Sequence, residues 1–502
     1  MKQFDLVVIG AGAGVLVVEA ALEQGLRCAL IEKAKFGGTC LTKGCIPSKM
    51  LVLPADMIRE AAAAKRIGLD FSAPEIDWDL IGARMWKQIN RSQALEKNLT
   101  KIPELTLYKG TATFTGPSVL RVQLEDGSRS DELTGKKILI AAGARTFIPP
   151  VSGLEEAGYV TAETFFGDKF PSRPWQSLAI IGGGAIGSEF AHIFSAFGTK
   201  VSIVEMRDHL MTTEEEEVSV FAEKQFRANG IDIFTSTTIL SVGTVPGGKA
   251  LRLRDTAGKE QTLTVEEVLI ASGVRSNADW LGLDKAGIKV DGRGWIITNE
   301  YLETSQSNIW ALGDINGKYQ FRHTANFEAE TLIRNWFSAD RTLKAMSYST
   351  VPWAIFTSPQ IAHVGLTERE IKRSGQKYWV GYNHYSQVTG GIAMGYSRGD
   401  EDDGFIKIIV GEEHKILGVH IVGPHAAILL QPFVYMMNSG QKCPDNIRKT
   451  PAKLADRLRG LRIICPPLGT YQPINDSMVI HPALSELTAW VIDSIDWTDT
   501  RR

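Results

Sequence analysis

The chain has 502 residues, too many for one core, and the length suggests about three domains. Hydrophobic content is 44% and charged content 22%, ordinary for a globular protein, and a formal net charge of -2 lacks the basic excess that nucleic-acid binding needs. Five cysteines in such a length exclude a disulfide scaffold, and the absence of a charge-free apolar run of about 18 residues argues against a membrane span.

The opening MKQFDLVVIG runs straight into a strand pattern. No secretory leader is therefore expected, and a reducing, cytoplasmic setting is. Residues 4–9 (FDLVVI) read as a buried strand, followed by GAGAG, an apolar helix to about Gln24, and a second strand, LRCALIE, ending at Glu32. Residues 50–100 read as largely helical. The first plan then recurs: LAIIGGGAIGSEFAHIF begins at Leu178, and TKVSIVE ends at Glu205. Beyond about residue 350 the texture changes. GFIKIIVGEEHKILGVHIVG predicts two antiparallel strands joined at Glu412–His414, and SELTAWVIDSI predicts a last helix capped by Ser485.

Each repeated unit matches a dinucleotide-binding plan. The first glycine makes a tight turn, the second admits a pyrophosphate, and the third lets helix and strand pack closely. An acidic residue about 20 positions on accepts ribose hydroxyls. Gly182, Gly184, Gly187 and Glu205 fit fully. A carboxylate at 205 favours NAD over NADP, with Arg207 close enough to soften the preference. Gly10, Gly12 and Glu32 fit the first unit, but Val15 holds the third glycine's place and Gly14 comes one residue early. Helix and strand are expected to lie slightly further apart there.

Cys40 and Cys45 are separated only by LTKG. Residues five apart in a helix lie about 7.5 Å apart along its axis, beyond the usual reach of about 6.8 Å between disulfide Cα atoms. A bent segment at Gly44 is expected. So small a loop gains little from chain entropy, which points to redox cycling, and Lys43 and Lys49 favour thiolate. Half a zinc site and inert core thiols are the competing readings. Cys443 and Cys465 form no second close pair, and the surrounding glycines and lysines suit a reactive site better than a core.

GGTCLTKGCIPSK resembles the redox signature of the flavin-dependent pyridine nucleotide–disulfide oxidoreductases, most closely in their dihydrolipoamide dehydrogenase branch. AAGAR at 141–145, GGGAIGSE, ASGVRSN at 271–277, ALGD at 311–314 and HPALSE at 481–486 extend the likeness over nearly the whole chain. KYQFRHTANFEAE and VIHPALSE are also similar to mycothione reductase. The resemblance implies an α/β fold with two Rossmann-like dinucleotide-binding domains and a C-terminal α+β dimerisation domain. Its parts would be an FAD domain (1–150), an NAD domain (151–276), a central part completing the FAD domain (277–349) and an interface domain (350–502).

By the same resemblance, Cys40 exchanges with substrate and Cys45 lies against the flavin. Lys49 and Glu189 pair beside the flavin ring. Asp314 holds the ribityl or phosphate region of FAD, and the backbone near His323 closes over the isoalloxazine. Thr39, Ala112 and Gly143 join the flavin site, and Gly273 lines the NAD site. His481 and Glu486 form an acid–base dyad supplied by the partner subunit of a homodimer. The implied reaction is dihydrolipoamide plus NAD⁺ to lipoamide plus NADH, without a metal, and a lipoyl-bearing protein is the candidate partner. A reductase of another small disulfide and a non-catalytic flavoprotein scaffold or redox sensor are the alternatives. Three departures stand out: LTKG in place of LNVG, no proline before Asn277, and a longer stretch at 441–476, read as a surface insertion.

Overall fold

The computed structural model describes residues 1–338, 343–439 and 472–483. The expected last helix and Glu486 lie outside these residues, as does most of the 441–476 stretch.

The first unit starts with β1 (Lys2–Ile9), α1 (Gly14–Glu23) and β2 (Cys28–Glu32). β1 and β2 pair in parallel, Leu6 opposite Cys28 and Ile9 opposite Ile31. Three helices follow that carry the chain across the site: α2 (Gly38–Thr42), α3 (Cys45–Ala63) and α4 (Trp78–Ile89). β3 (Leu105–Gly116) extends the parallel sheet beside β2, then turns antiparallel to β4 (Val119–Leu124). β5 (Leu133–Ile140) returns to β1 in parallel. Much later, Ile309–Ala311 joins the free side of β5. A continuous VVI run suits a strand covered on both faces. Leu6 and Val8 pack with Val18 and Leu332 on the helical side, while Val7 and Ile9 meet Phe114 and Val122 on the other. Each such burial stabilises by about 1.5–3 kcal/mol.

The second unit repeats the plan. Ser177–Ile181, the helix Ala185–Ala196 and Lys200–Val204 form its βαβ core, and Asp232–Phe234, Glu267–Ile270 and Val160–Thr161 complete a parallel sheet. A three-stranded antiparallel meander, Thr237–Val245, Gly248–Asp255 and Glu260–Val265, covers one face. The third unit is a five-stranded antiparallel sheet. Within it Phe405–Gly411 and Ile416–Val422 pair across Glu412–His414, as the sequence suggests. The helix Ala426–Asn438 buries Leu430 and Val434 against Ala362, Val419 and Ile421 of this sheet.

An aromatic cluster binds the first two units. Trp78 of α4 stacks on Phe170 with ring centres 5.1 Å apart, and Phe165 meets Phe190 and Phe194 edge-on. Aromatic pairs of this kind add about 0.5–1.5 kcal/mol each beyond area burial. The helix that begins at Cys45 is thereby fixed against the helix that follows the second glycine loop.

Candidate active site

The two glycine loops are built alike. Gly10 (φ +105) and Gly182 (φ +107) occupy left-handed backbone, where a Cβ would strike the carbonyls of Ala141 and Ala271 at 2.2 and 2.4 Å. Glu32 accepts the N–H of Ala11 (2.7 Å) and of Ala34 (2.8 Å). Glu205 accepts the N–H of Gly183 (2.8 Å) and of Arg207 (2.9 Å). Each carboxylate thus braces its own turn and keeps lone pairs for ribose hydroxyls. The glycines on the two helices meet different neighbours. Gly187 packs on the Gly182 carbonyl itself, whereas Gly14 packs on the side chains of Val8 and Ala141.

Two cavities adjoin. One is lined by Gly10, Gly12, Glu32, Thr39, Ala112, Gly143 and Asp314. Gly12 has only Gly38 near its missing Cβ, at 3.8 Å, so backbone faces open space where a pyrophosphate would lie. Burial pushes the Asp314 carboxyl up to about 6, a group suited to hydroxyl donors. These residues fit a flavin dinucleotide. The second cavity, of about 840 Å³, is lined by Gly182, Gly184, Glu205 and Gly273, and also reaches Cys45, Lys49, Glu189 and His481. Its glycine loop and Glu205 fit a nicotinamide dinucleotide. AAGAR and ASGVRSN prove to be one feature, because Ala144–Thr146 pairs with Val274–Ser276 and Asn277 donates to the Ala142 carbonyl at 2.8 Å.

The cysteines straddle the bend between α2 and α3. Gly44, at φ -145 and ψ -114, interrupts the helical path, and Cys45 is the first residue of α3. Both cysteines are reduced. A hydrogen bond from the Cys40 thiol lowers Cys45 from 9.0 to about 7, helped by the charges of His481 and Lys49; burial and Glu189 oppose it. The helix N-terminus favours the same thiolate. Cys28 contrasts sharply: burial within β2 pushes it up to about 12, so it stays protonated.

Around the pair, Lys49 donates to Glu189 at 2.9 Å, and Glu189 also accepts the Phe356 N–H at 3.0 Å. His323 is buried and donates through Nε2 to the Pro352 carbonyl at 2.7 Å; burial lowers it to about 4, so it is neutral. His481 Nε2 lies 3.1 Å from Cys40 Sγ. Gln431 fixes the approach to His481 by bonding Met478 O and Ile480 N, and Asn438 holds Ser477. The contact between His481 and Cys40 is formed within the single chain the structure describes. The ligand atoms of Cys40, Cys45 and His481 lie within 4.8 Å of one another, close enough to grip a soft cation when both thiols are reduced.

Several contacts of the lining escaped the sequence reading. Lys43, expected to favour the thiolate, is paired with Glu163 across the units at 3.0 Å. Trp280 lines the flavin cavity, with Lys33 Nζ 3.3 Å and Arg145 Cζ 4.2 Å from its ring centre. Arg322 lines both cavities. Arg322 falls inside KYQFRHTANFEAE, as Arg145 does inside AAGAR and Lys43 inside the cysteine motif, whereas Trp280 had no signal.

Comparison with known proteins agrees with this architecture. Residues 4–329 match the family described as pyridine nucleotide-disulphide oxidoreductase, and residues 351–454 match its dimerisation domain. The chain is 31% identical over 439 residues to the dihydrolipoyl dehydrogenase of Bacillus subtilis, covering 85% of this chain and 90% of that one. It is 30% identical over 475 residues to the mycothione reductase of Mycobacterium tuberculosis, covering 92% and 100%. The HOCl-induced flavoprotein disulfide reductase RclA of Escherichia coli superposes with a TM-score of 0.73 at 25% identity, covering 97% and 98%. The same protein has a structure described as a Cu(II) complex. Among the described residues no helix is long and apolar enough to cross a membrane.

Proposed function

The chain belongs to the pyridine nucleotide-disulphide oxidoreductases, and from that premise we propose that it exchanges electrons between NAD and a small dithiol, with dihydrolipoamide as the first candidate. FAD, which Gly10, Gly12, Glu32, Thr39, Ala112, Gly143 and Asp314 would hold, would supply a two-electron carrier between the cysteine thiolate on one side and the nicotinamide, as hydride, on the other. Cys40 and Cys45 cycle between dithiol and disulfide. One substrate thiolate attacks Cys40 and breaks the Cys40–Cys45 bond, leaving Cys45 as thiolate. His481 takes the proton of the second substrate thiol, which then displaces Cys40 and closes the substrate disulfide. Two electrons now reside on the cysteine pair. Lys49 offsets the charge of that state, and Glu189 and Phe356 hold Lys49 in place.

The observation that carries this reading is the Cys40–His481 contact of 3.1 Å, beside a Cys45 thiol lowered to about 7. Glu205 supports NAD over NADP. The dimerisation domain supports a homodimer, and we place the protein in the cytoplasm, where the pair can stay reduced. The test is an assay of the flavin-loaded dimer with dihydrolipoamide and NAD⁺; no NADH formed by fully flavinated protein removes the substrate assignment. A second reading, reduction of a mycothione-like disulfide, is favoured by the 92% coverage of this chain by mycothione reductase. Assaying other small disulfides with NADH and NADPH separates the two. A scaffold or redox-sensor role would leave turnover of the Cys45→Ser protein unchanged.

A further inference from the structure

The basic residues of the larger cavity are nearly all partnered. Lys43 is paired with Glu163 at 3.0 Å, Lys49 with Glu189 at 2.9 Å and Arg145 with Asp279 at 2.6 Å. Arg207 donates to Thr212 Oγ1 at 3.0 Å. Arg322 is different. It is the first residue of the helix Arg322–Phe337 and is half-buried. It lines the flavin cavity and the larger one, on a wall shared with Phe321, His481 and Pro482. Among the described residues no hydrogen bond or ion pair takes up its guanidinium. The acids of that wall do not answer it: Glu163 and Glu189 are bound to lysines, Glu205 braces its turn, and no ion pair joins Arg322 to Asp314.

A half-buried charge is costly to leave unmatched. A guanidinium presents a rigid planar fork that suits a carboxylate, and it is less strongly hydrated than an ammonium. The dinucleotide phosphates have their own receptors at the two glycine loops. The remaining ligand is the disulfide that must approach Cys40 past His481.

We propose that Arg322 anchors an anionic group, a carboxylate, on the disulfide substrate, so that the site selects an acidic small disulfide over a neutral one. This rests on disulfide exchange at Cys40 as proposed above and deepens it. The specificity then lies in a charge that KYQFRHTANFEAE carries and the redox motif does not. An amide-capped dithiolane such as lipoamide lacks the group Arg322 would bind, whereas lipoate has it.

The test compares lipoate with lipoamide, and dianionic 5,5′-dithiobis(2-nitrobenzoate) with neutral 2,2′-dithiodipyridine, under NADH in flavin-loaded dimers. Wild type, Arg322→Leu and Arg322→Lys are used. A charge-assisted hydrogen bond of ordinary strength predicts about a 10- to 100-fold higher kcat/KM for the anionic member of each pair. Arg322→Leu should abolish that preference by losing only the anionic substrates, and Arg322→Lys should keep part of it. In wild type the KM of the anionic substrates should rise with salt while that of the neutral ones does not, a readout that needs no variant. Equal use of both members by wild type, or a preference that survives Arg322→Leu, overturns the assignment. So does weaker FAD or NADH binding in Arg322→Leu, which would give the charge to a cofactor. Failure to reduce any of the four compounds overturns the disulfide reading itself.

Discussion

Replacing Cys40 with alanine or with serine should separate the two thiols' roles. The Cys40 hydrogen bond is the largest influence holding Cys45 down, from 9.0 to about 7, against its burial. That displacement corresponds to about 3 kcal/mol in favour of the thiolate. Cys40→Ala removes the donor, and burial then dominates, so the midpoint should rise above about 8. At pH 7 the thiolate share falls from about half to below about a tenth. Cys40→Ser restores a donor of similar reach and should keep the midpoint near the native one. Neither variant can form the disulfide, so Cys45 is reduced without added thiol. The assay is a pH titration of the long-wavelength thiolate-to-flavin absorbance of the flavin-loaded proteins. The sign is fixed by linkage. The folded value lies below the unfolded one, so the thiolate's contribution to stability is complete above about pH 9 and is lost as pH falls through about 7. If alanine and serine titrate alike, near the native midpoint, Cys40 is not the group that holds the thiolate, and the reasoning from the thiol–thiol contact fails.

Three further outcomes follow from the site. Because Glu205 both braces its turn and offers lone pairs to a ribose, Glu205→Gln should lower kcat/KM for NADH by about tenfold and narrow the gap to NADPH, as read by paired steady-state assays. Burial raises Asp314 to about 6, and flavin hydroxyls would donate to its carboxylate form. FAD should therefore be released as pH falls through about 6, followed by flavin fluorescence, and Asp314→Asn should bind more weakly with little pH dependence. The resemblance implies that His481 works across the dimer interface, so mixed dimers of Cys40→Ser with His481→Gln should recover activity that neither parent has; mixed dimers no more active than the parents would keep the histidine's role within the chain where it meets Cys40.

How much was legible in the sequence followed from distance along the chain. Each glycine–glutamate unit spans fewer than 25 residues, and the turn chemistry that makes it recognisable is complete within that span. The cysteine pair was legible for the same reason, and the need for a bend at Gly44 followed from helix geometry alone. The hairpin at Glu412–His414 announced itself by alternation around a short polar turn. Lys43–Glu163 and the Trp280 platform were not readable, because their partners come from different units and no periodicity links them. Arg322 shows the limit most clearly: its residue type is visible, but that its charge goes unmatched emerges only when the cavity wall is assembled. That Val15 stands where the second unit has Gly187 was visible, whereas the seat of the neighbouring Gly14 against Val8 and Ala141 required coordinates.

The polar contacts between α3 and the helix Ala185–Ala196 explain why the two halves of the reaction meet. Lys49 bonds Glu189, Asp56 bonds His192 at 2.8 Å, and Arg59 donates to Ser195 at 2.8 Å. The partners climb together, so the two helices run parallel and their N-termini lie at the same end. One N-terminus carries Cys45, the other follows the second glycine loop. Parallel dipoles repel, and the interleaved pairs together with the aromatic cluster offset that cost. In return, two positive ends converge where a thiolate and a pyrophosphate both need them. The effect fades within the first helical turn, about 5.4 Å. A cysteine one turn further along α3 would lose it, which is why the redox pair has to stand at the break between α2 and α3 and not within either helix.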